Sequence, residues 1–527
     1  MSKNNINLEN IPASKFEFAN TGDKIHDKKF EDKPIGYFKD AWIRFRKSRA
    51  SVIAAIIILV IVLLSIIAPF AISTRDNSLM VAQYEKKPAR VTWLRDTIGI
   101  IDGGKNMTIT EAELIRRLAI GVGAADHTGE DTSLAAGMES YYQPIMKIGD
   151  PIESLDAKKK PIRHYKVRED QYLAVGFIYR YIEQSELQNI LDFQEKTGLQ
   201  VLYPLIDSSN EFTPSTETEN ANVWYKCGKN AGVPVNDQGY TIPYSEDMVF
   251  SDNYLRDENG NVKYWAYSGG GTFETAQLKI RVLYYNYYQY LYGCEPNYVM
   301  GTESQGYDMA LRVADGLQLS LLIAIAVCVI NFILGALYGA IEGYYGGLID
   351  LVLERVSDIL NGVPFIIVAT LFQLHLAKQV GPLVCLLFAY VVTGWIGTAY
   401  RVRAQFYRFK NQEYVMAART LGAKDRRIIW KHIFPNTLGT IITSSALAIP
   451  GTIMSESMLS YLGIVSLGGA SGTSLGTLLS EAQGVWFENP HLMLWPALII
   501  SLLMICFNLF GNGLRDAFNP SLRGSED

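Results

Sequence analysis

The chain has 527 residues, of which 49% are hydrophobic, and a formal net charge of −5. That balance excludes the broad basic surface with which proteins neutralise nucleic-acid phosphates. Five cysteines in such a length are too few for a disulfide scaffold, and Cys328, Cys385 and Cys506 fall inside apolar blocks, where a thiol packs as a small hydrophobe.

Residues 1–34 are polar, rich in Lys, Asp and Asn, and read as a disordered cytoplasmic tail. Residues 35–49 set Tyr37, Phe38, Trp42 and Phe45 among Lys39, Arg44, Arg46, Lys47 and Arg49, the pattern of an interfacial amphipathic helix. A bilayer core about 30 Å thick needs roughly 20 apolar residues as a helix. Residues 50–72 supply them, with Ser51–Ile72 free of charge. The polar stretch before this block and the lack of a small-residue cleavage site after it point to a retained anchor, not a cleaved signal peptide.

Residues 73–300 contain no comparable apolar run and are mixed in charge, with many tyrosines and tryptophans. Thr110 and Glu113 form a capping box ahead of a helix over Glu111–Ala119. The same stretch places Asp102, Asn106, Thr108, Thr110 and Glu113 at calcium-loop spacing, but Gly104 offers no ligand and Met107 stands where the loop needs glycine, so no metal is expected. Gln184–Lys196 reads as an amphipathic helix, and Asp257-Glu-Asn-Gly-Asn261 as a tight turn before a strand containing Tyr264 and Trp265. The tyrosines of Tyr284–Tyr298 suit a domain core and interfacial belt better than a ligand cage. Cys227 and Cys294 either pair in one disulfide or both stay free.

Five further apolar blocks follow, near Leu317–Ile341, Leu351–Leu376, Pro382–Tyr400, Leu438–Leu462 and Leu492–Gly513, making six expected membrane helices. A charge in hydrocarbon costs at least about 2.5–3.5 kcal/mol. Arg355, Asp358 and Glu456, together with Asn508, are therefore candidates for a substrate pathway or for polar contacts between helices. Arg355 and Asp358 are three residues apart and can pair on one helix face.

Lysine and arginine in short loops set orientation. The cluster before residue 50 and the nine basic residues from Arg401 to Lys431 belong inside, whereas Ile464–His491 has no Lys or Arg. The expectation is cytoplasmic termini, residues 73–300 outside the cytoplasm, a membrane core over 301–516 with a cytoplasmic loop at 401–437, and a cytoplasmic tail at 517–527. Within the loop, Ala417-Ala418 and then Gly422 suggest a short helix, a sharp turn and a second helix stopped by Pro435. The chain has no Gly-x-x-x-x-Gly-Lys-Ser/Thr phosphate loop, no His-Glu-x-x-His and no nucleophile elbow, so no catalytic residues are assigned.

The segment Glu413-Tyr-Val-Met-Ala-Ala-Arg-Thr-Leu-Gly-Ala423 through His432-Ile-Phe-Pro-Asn436 resembles the cytoplasmic signature loop of ABC importer permeases, in the oligopeptide/dipeptide/nickel branch. Met416 replaces the usual Glu. Gly301-Thr-Glu-Ser-Gln-Gly-Tyr-Asp308 with Arg312 resembles the family's approach to the second span, Glu303 replacing Asp and Tyr307 replacing Arg. Gly343-Tyr-Tyr-Gly-Gly347 with Asp350, Arg355, Asp358 and Pro364, and Asn508-Leu-Phe-Gly-Asn-Gly-Leu-Arg-Asp516 with Asn519-Pro520, resemble two further family segments. The likeness covers 35–72 and 300–523 and is nearest to the C-type oligopeptide permease subunit.

This resemblance implies an all-α membrane domain of six helices into which an extracytoplasmic mixed α/β domain has been inserted. It implies a plasma-membrane subunit that moves oligopeptides inward without an ATPase site of its own, ATP and Mg being bound by partner subunits. The partners would be a second homologous permease, two cytoplasmic ATPases and an extracytoplasmic substrate-binding lipoprotein. Glu413, Tyr414, Ala417, Ala418, Arg419, Gly422, Ala423, His432, Pro435 and Asn436 would form the loop that docks on the ATPase. Lys/Asn/Tyr-rich flanks suggest a Gram-positive bacterium. The alternatives are a permease for nickel or another small solute, and a membrane-anchored receptor, which would not need the 413–436 loop. A secondary transporter would show internal repeats.

Overall fold

The computed structural model describes residues 37–72, 80–125, 142–155, 161–213, 220–228, 232–245, 248–268, 277–468 and 473–518. The expected disordered tail and the Asn519-Pro520 part of the last motif lie outside them.

Tyr37–Lys47 is a helix, as its alternation of rings and bases predicts. It buries Ala41 and Phe45 against the end of the chain's last helix, where Phe45 meets Phe510 edge-on at 5.5 Å, and leaves Trp42 exposed. The first membrane helix, Arg49–Ile72, follows at once. Its contact with the last helix, His491–Phe518, is close because Gly513 has no side chain: a Cβ there would stand 2.1 Å from Ser51 Oγ.

Among the described residues five helices are long and apolar enough to cross a membrane: Arg49–Ala71, Met309–Tyr345, Pro382–Phe409, Asp425–Tyr461 and His491–Phe518. The sixth expected span is not one helix. Gly347–Asn361 and Phe365–Val380 are bent by 70° at the intervening break. Pro364 causes it. Its ring disfavours helical geometry at Val363, and Pro364 itself is extended, with ψ 128°.

A second correction concerns Pro435, which does not stop the helix. Ile428–Ile433 opens into a π-helical turn, and Phe434–Ala446 continues with Pro435 in its first turn. Widening the turn relieves the clash between the proline ring and the preceding carbonyls, so the helix runs through. The Pro382 block likewise extends past Tyr400 to Phe409, with an irregular turn near Gly394.

The tightest helix crossing follows from glycine spacing. Gly335, Gly339 and Gly343 form one stripe of Met309–Tyr345 and face Ile396–Phe409. A Cβ on them would come 2.8 Å from Trp395 O, 2.3 Å from Ala399 O and 2.8 Å from Arg403 O. Only glycines let the two backbones approach so closely.

The region between the first two spans holds two antiparallel sheets. In one, β1 (Gly104–Thr110), β2 (Ile145–Leu155) and β3 (Pro161–Asp170) are ordered β1-β3-β2. In the other, β4 (Phe177–Ile182), β5 (Leu202–Tyr203) and β6 (Trp265–Ser268) all pair with β7 (Gln277–Leu283). The predicted helices appear as Glu111–Ala125 and Gln184–Thr197. The capping box forms: Thr110 N donates to Glu113 Oε2 at 3.0 Å, and Glu113 N donates to Thr110 Oγ1 at 3.3 Å. Asp102 is occupied by Arg168, whose Nη2 donates to it at 2.7 Å. The turn at Asp257 closes through Gly260 N donating to Asp257 O at 3.0 Å.

The tyrosines are core. Tyr84, Tyr172, Tyr284, Tyr285, Tyr288 and Tyr298 are buried together, with Tyr84 meeting Tyr172 and Tyr284 edge-on at 5.0 Å. Beside them the buried Arg90 guanidinium donates through Nη1 to both Asp170 oxygens at 2.9 Å and through Nη2 to Tyr285 at 2.9 Å. Backbone bonds then tie this body to the approach to the second span: Arg90 N to Tyr298 O at 2.8 Å, Lys86 N to Glu303 O at 2.9 Å and Thr302 N to Lys87 O at 2.9 Å.

The glycine stripe yields a test. Gly339→Leu should destabilise the membrane core by roughly 1–3 kcal/mol, the range of overpacking a close contact. Gly451→Ala, whose added Cβ meets nothing within 4 Å, should be neutral within about 0.5 kcal/mol. Thermal unfolding in detergent, read by size exclusion, compares them; equal midpoints would show that the crossing tolerates side chains.

Candidate functional site

The predicted loop begins with the helix Glu413–Thr420. Val415 is its only buried residue and packs with Ile428, Ile429, Ile433 and Tyr344. The opposite face carries Tyr414, Met416 and Ala417 in the open, and Leu421 is 88% exposed at the tip. Ala418 is half-buried, so of the two alanines only Ala417 faces fully outward. Gly422 turns the chain with φ 80°, and Ala423 N donates back to Ala418 O at 3.0 Å. A Cβ on Gly422 would meet nothing within 4 Å. Glycine is required there for backbone conformation, not for a close approach within this chain.

The return arm is braced at two points. Tyr344 donates its hydroxyl to Asp425 Oδ1 at 2.6 Å, with the Arg419 guanidinium 5.9 Å over the Tyr344 ring. Asn436 Nδ2 donates to His432 O at 2.8 Å and to Tyr414 Oη at 3.3 Å. His432 is half-buried, whereas Glu413, Pro435 and Asn436 are exposed.

At the base of the loop, Arg403 gathers carboxylates from two other helices. Its Nε and Nη2 donate to the two Asp350 oxygens at 2.7 and 2.9 Å, and its Nη1 and Nη2 to Glu354 at 2.9 and 3.1 Å. Tyr407 also donates to Asp350, and the fully buried Glu342 lies 3.6 Å from Arg403 Nε. Lys410 Nζ closes the cluster on Gly343 O at 3.0 Å. Sequence reasoning counted Arg403 only among topogenic charges. The missed signal is the matched i, i+4 spacing of Arg403 with Tyr407 and of Asp350 with Glu354.

The remaining predicted polar residues separate. Arg355 and Asp358 do pair, at 3.1 Å, but both are exposed, and Asp358 also accepts from Tyr400 at 2.8 Å. Glu456 is buried and accepts from Ser460 on its own helix and from Ser320 on Met309–Tyr345, both at 3.1 Å. That is a contact between helices. Among the described residues Asn508 makes none: it donates to Met504 O of its own helix at 2.8 Å and is exposed. Cys227 is buried, Cys294 is half-buried, and neither is in a disulfide in this structure.

Residues 333–524 match the family described as binding-protein-dependent transport system inner membrane component, and residues 36–86 match the N-terminal TM domain of oligopeptide transport permease C. Similarity to the dipeptide transport system permease protein DppC of Bacillus subtilis is 39% identity over 229 residues, 42% of this chain and 68% of that protein. For the oligopeptide transport system permease protein OppC of the same organism it is 39% over 223 residues, 42% of this chain and 72% of that protein. The chain belongs to this family of ABC transporter permeases. An inward-facing structure of the MetNI methionine ABC transporter also aligns, at 16% identity and a TM-score of 0.34 over 40% of this chain and 98% of that one.

The permease is thus a multi-pass membrane protein, and two of its departures from the family pattern meet in space. Glu303 is 2% exposed, and its carboxyl stands beside that of Glu481. Arg312 Nε stands 3.5 Å away, with the Tyr307 ring 5.0 Å from its guanidinium. Tyr307 lays its ring beside the Arg312 guanidinium and brings no charge to this carboxyl. Burial pushes Glu303 up to about 7; Arg312 opposes the rise and the neighbouring Glu481 carboxylate adds to it.

Two tests follow. Replacing Arg403 by Met should cost roughly 3–5 kcal/mol, the range for stranding buried carboxylates, and Arg403→Lys should recover only part of it; matching unfolding midpoints for all three proteins would refute the assignment. For Glu303 the folded-state value lies above the ordinary 4.5, so the folded protein holds an extra proton between these limits and loses stability as pH rises through that window. Glu303→Gln should therefore melt higher than the parent at pH 8, with the gap shrinking at pH 5. A gap of equal size at both pH values would mean the carboxyl is not protonated in the fold.

Proposed function

We propose that this chain is the C-type permease subunit of an ATP-driven importer of oligopeptides in the bacterial plasma membrane. The observation that carries the reading is the loop: an exposed tip of Met416, Ala417 and Leu421 on a base clamped by Arg403 to two other helices. A tip that is open while its root is ion-paired suits a lever pushed by a partner. The peptide substrate is taken from what the DppC and OppC relatives are named for.

In this reading the bent pair Gly347–Val380 completes six spans, both termini are cytoplasmic, and the domain within 73–300 lies outside. The chain pairs with a second permease along its exposed apolar flank. Two ATPase subunits hold ATP and Mg and receive the loop, and a substrate-binding lipoprotein delivers peptide at the outer mouth. The inserted domain docks that protein or covers the mouth, since its chain is tied by backbone bonds to the start of the second span. Closure of the ATPases would move the loop and rock the two permeases between outward and inward access. The basic N-terminal helix and loop against a 464–491 segment without Lys or Arg support the orientation.

The test compares Gly422→Arg, Ala418→Glu and Ala417→Glu in the complex reconstituted with its partner subunits. Position 422 demands φ 80° and position 417 is open, so the last variant disturbs docking without disturbing the fold. Transport is expected to fall by about tenfold or more, equivalent to about 1.4 kcal/mol of lost coupling, while the permease stays paired with its partner. Wild-type uptake and full ATPase retention in all three would remove this loop from the coupling role.

A further inference from the structure

Beyond the coupling tip, the return arm carries a second surface of different chemistry. Lys424, Arg426, Arg427, Trp430 and Lys431 line an open groove of about 540 Å³. All five are exposed. Among the described residues no acceptor pairs with any of the four cations. The one acid in the arm, Asp425, is turned away to Tyr344. Lys424, Arg427 and Lys431 are spaced three and four apart and share a helix face, and Arg426 and Trp430 form the adjoining row. The opposite face is committed to protein, since Ile428, Ile429 and Ile433 are buried. The cations therefore point outward by construction, and mutual repulsion among four unneutralised charges leaves the groove with a strong preference for an anion.

We propose that this groove binds the phosphate of an anionic phospholipid from the adjacent leaflet. Two observations select lipid over other anions. The groove lies on the first turns of a continuous helix, Asp425–Tyr461, that is long and apolar enough to span the bilayer. At the groove's far end Trp430 packs edge-on against Phe434 at 4.9 Å, placing an indole at the level where the chain turns from charged to apolar, the level of lipid headgroups. The apolar tip at Met416, Ala417 and Leu421 lies on the other side of the Gly422 turn, so the surface suited to a protein partner is separate from the charged one. Cations at this level are drawn to an anionic leaflet, and the two guanidiniums can hold a phosphate through paired N–H donors. Lipid bound here would fasten the return arm to the membrane while the tip moves. This inference rests on the reading that 401–437 lies at the cytoplasmic face.

The experiment uses the chain with its partner subunits in nanodiscs of phosphatidylcholine with or without phosphatidylglycerol, comparing wild type with R426Q/R427Q/K431Q. Lipid retained after detergent extraction is counted by native mass spectrometry. Retained phosphatidylglycerol should fall by at least about fivefold in the variant, with phosphatidylcholine and the ATPase subunits retained equally. Equal phosphatidylglycerol retention would overturn the site. Loss of the ATPases in phosphatidylcholine alone, with lipid retention unchanged, would also overturn it and assign the groove to a protein partner. Inorganic phosphate is the second arm. A thermal shift with millimolar phosphate in lipid-free detergent that the variant lacks would point to a soluble anion and overturn the lipid source. Because retention is read on this chain itself, failure of the whole complex to import peptide would count against the transport reading and not against the lipid site.

Discussion

Arg403 is the residue on which the geometry of the membrane core turns. Its guanidinium meets Asp350 and Glu354 on one helix and approaches Glu342 on another, at the end of the segment that leads into the loop. Three carboxylates brought this close without a cation would repel one another in a medium that screens poorly. Removing one partner of such a cluster is far worse than removing the whole. The cluster can form only because Gly335, Gly339 and Gly343 let the two helices approach to backbone contact; a single Cβ at 339 would stand 2.3 Å from a carbonyl oxygen. Small residues set the distance, and the ion cluster then fixes rotation and register. Neither is sufficient alone.

That arrangement makes the loop an extension of the core and not an appendage. The helix Glu413–Thr420 buries Val415 in the cluster that contains Tyr344 and Phe406, with the Arg419 guanidinium over the Tyr344 ring. The return arm is held by Tyr344 on Asp425. Tyr344 therefore touches both arms from the helix that bears the glycine stripe. In the proposed coupling role, a push on the tip would pass through packed side chains and two hydroxyl–carboxylate bonds to the helices that Arg403 joins. Packed contacts of this kind shift between discrete arrangements and do not deform continuously.

Much of this was legible in the residues. The membrane helices followed from apolar length, the capping box from Thr110 and Glu113, the turn from Gly422, and the aromatic core from the tyrosine run. These are local properties, decided by residues within one or two turns of each other. What was not legible depended on pairings across the chain. One continuous third span was expected from hydropathy, which is blind to the 70° bend. Pro435 was read as a stop because its usual effect is to break a helix; the π-helical turn before it removes that effect. Arg403 looked like one base among nine, since its acids lie about fifty residues earlier. Cys227 and Cys294 raised a possible link that the fold leaves unmade.

Glu303 shows how a departure from a family pattern acquires physical meaning only in three dimensions. In the sequence, Glu303 for Asp and Tyr307 for Arg read as two separate changes four residues apart. In the structure they alter one electrostatic balance. The longer carboxyl is buried at the junction where Lys86 N holds its carbonyl, and Tyr307 lays its ring beside Arg312. With one cation at 3.5 Å and a second carboxylate adjacent, the neutral acid is the cheaper form to bury. The approach to the second span, the helix Leu475–Ala482 and Leu492 of the last helix line the space beside this carboxyl. The junction between the insert and the membrane core is thus held by backbone bonds and packing around a carboxyl whose charge the fold suppresses.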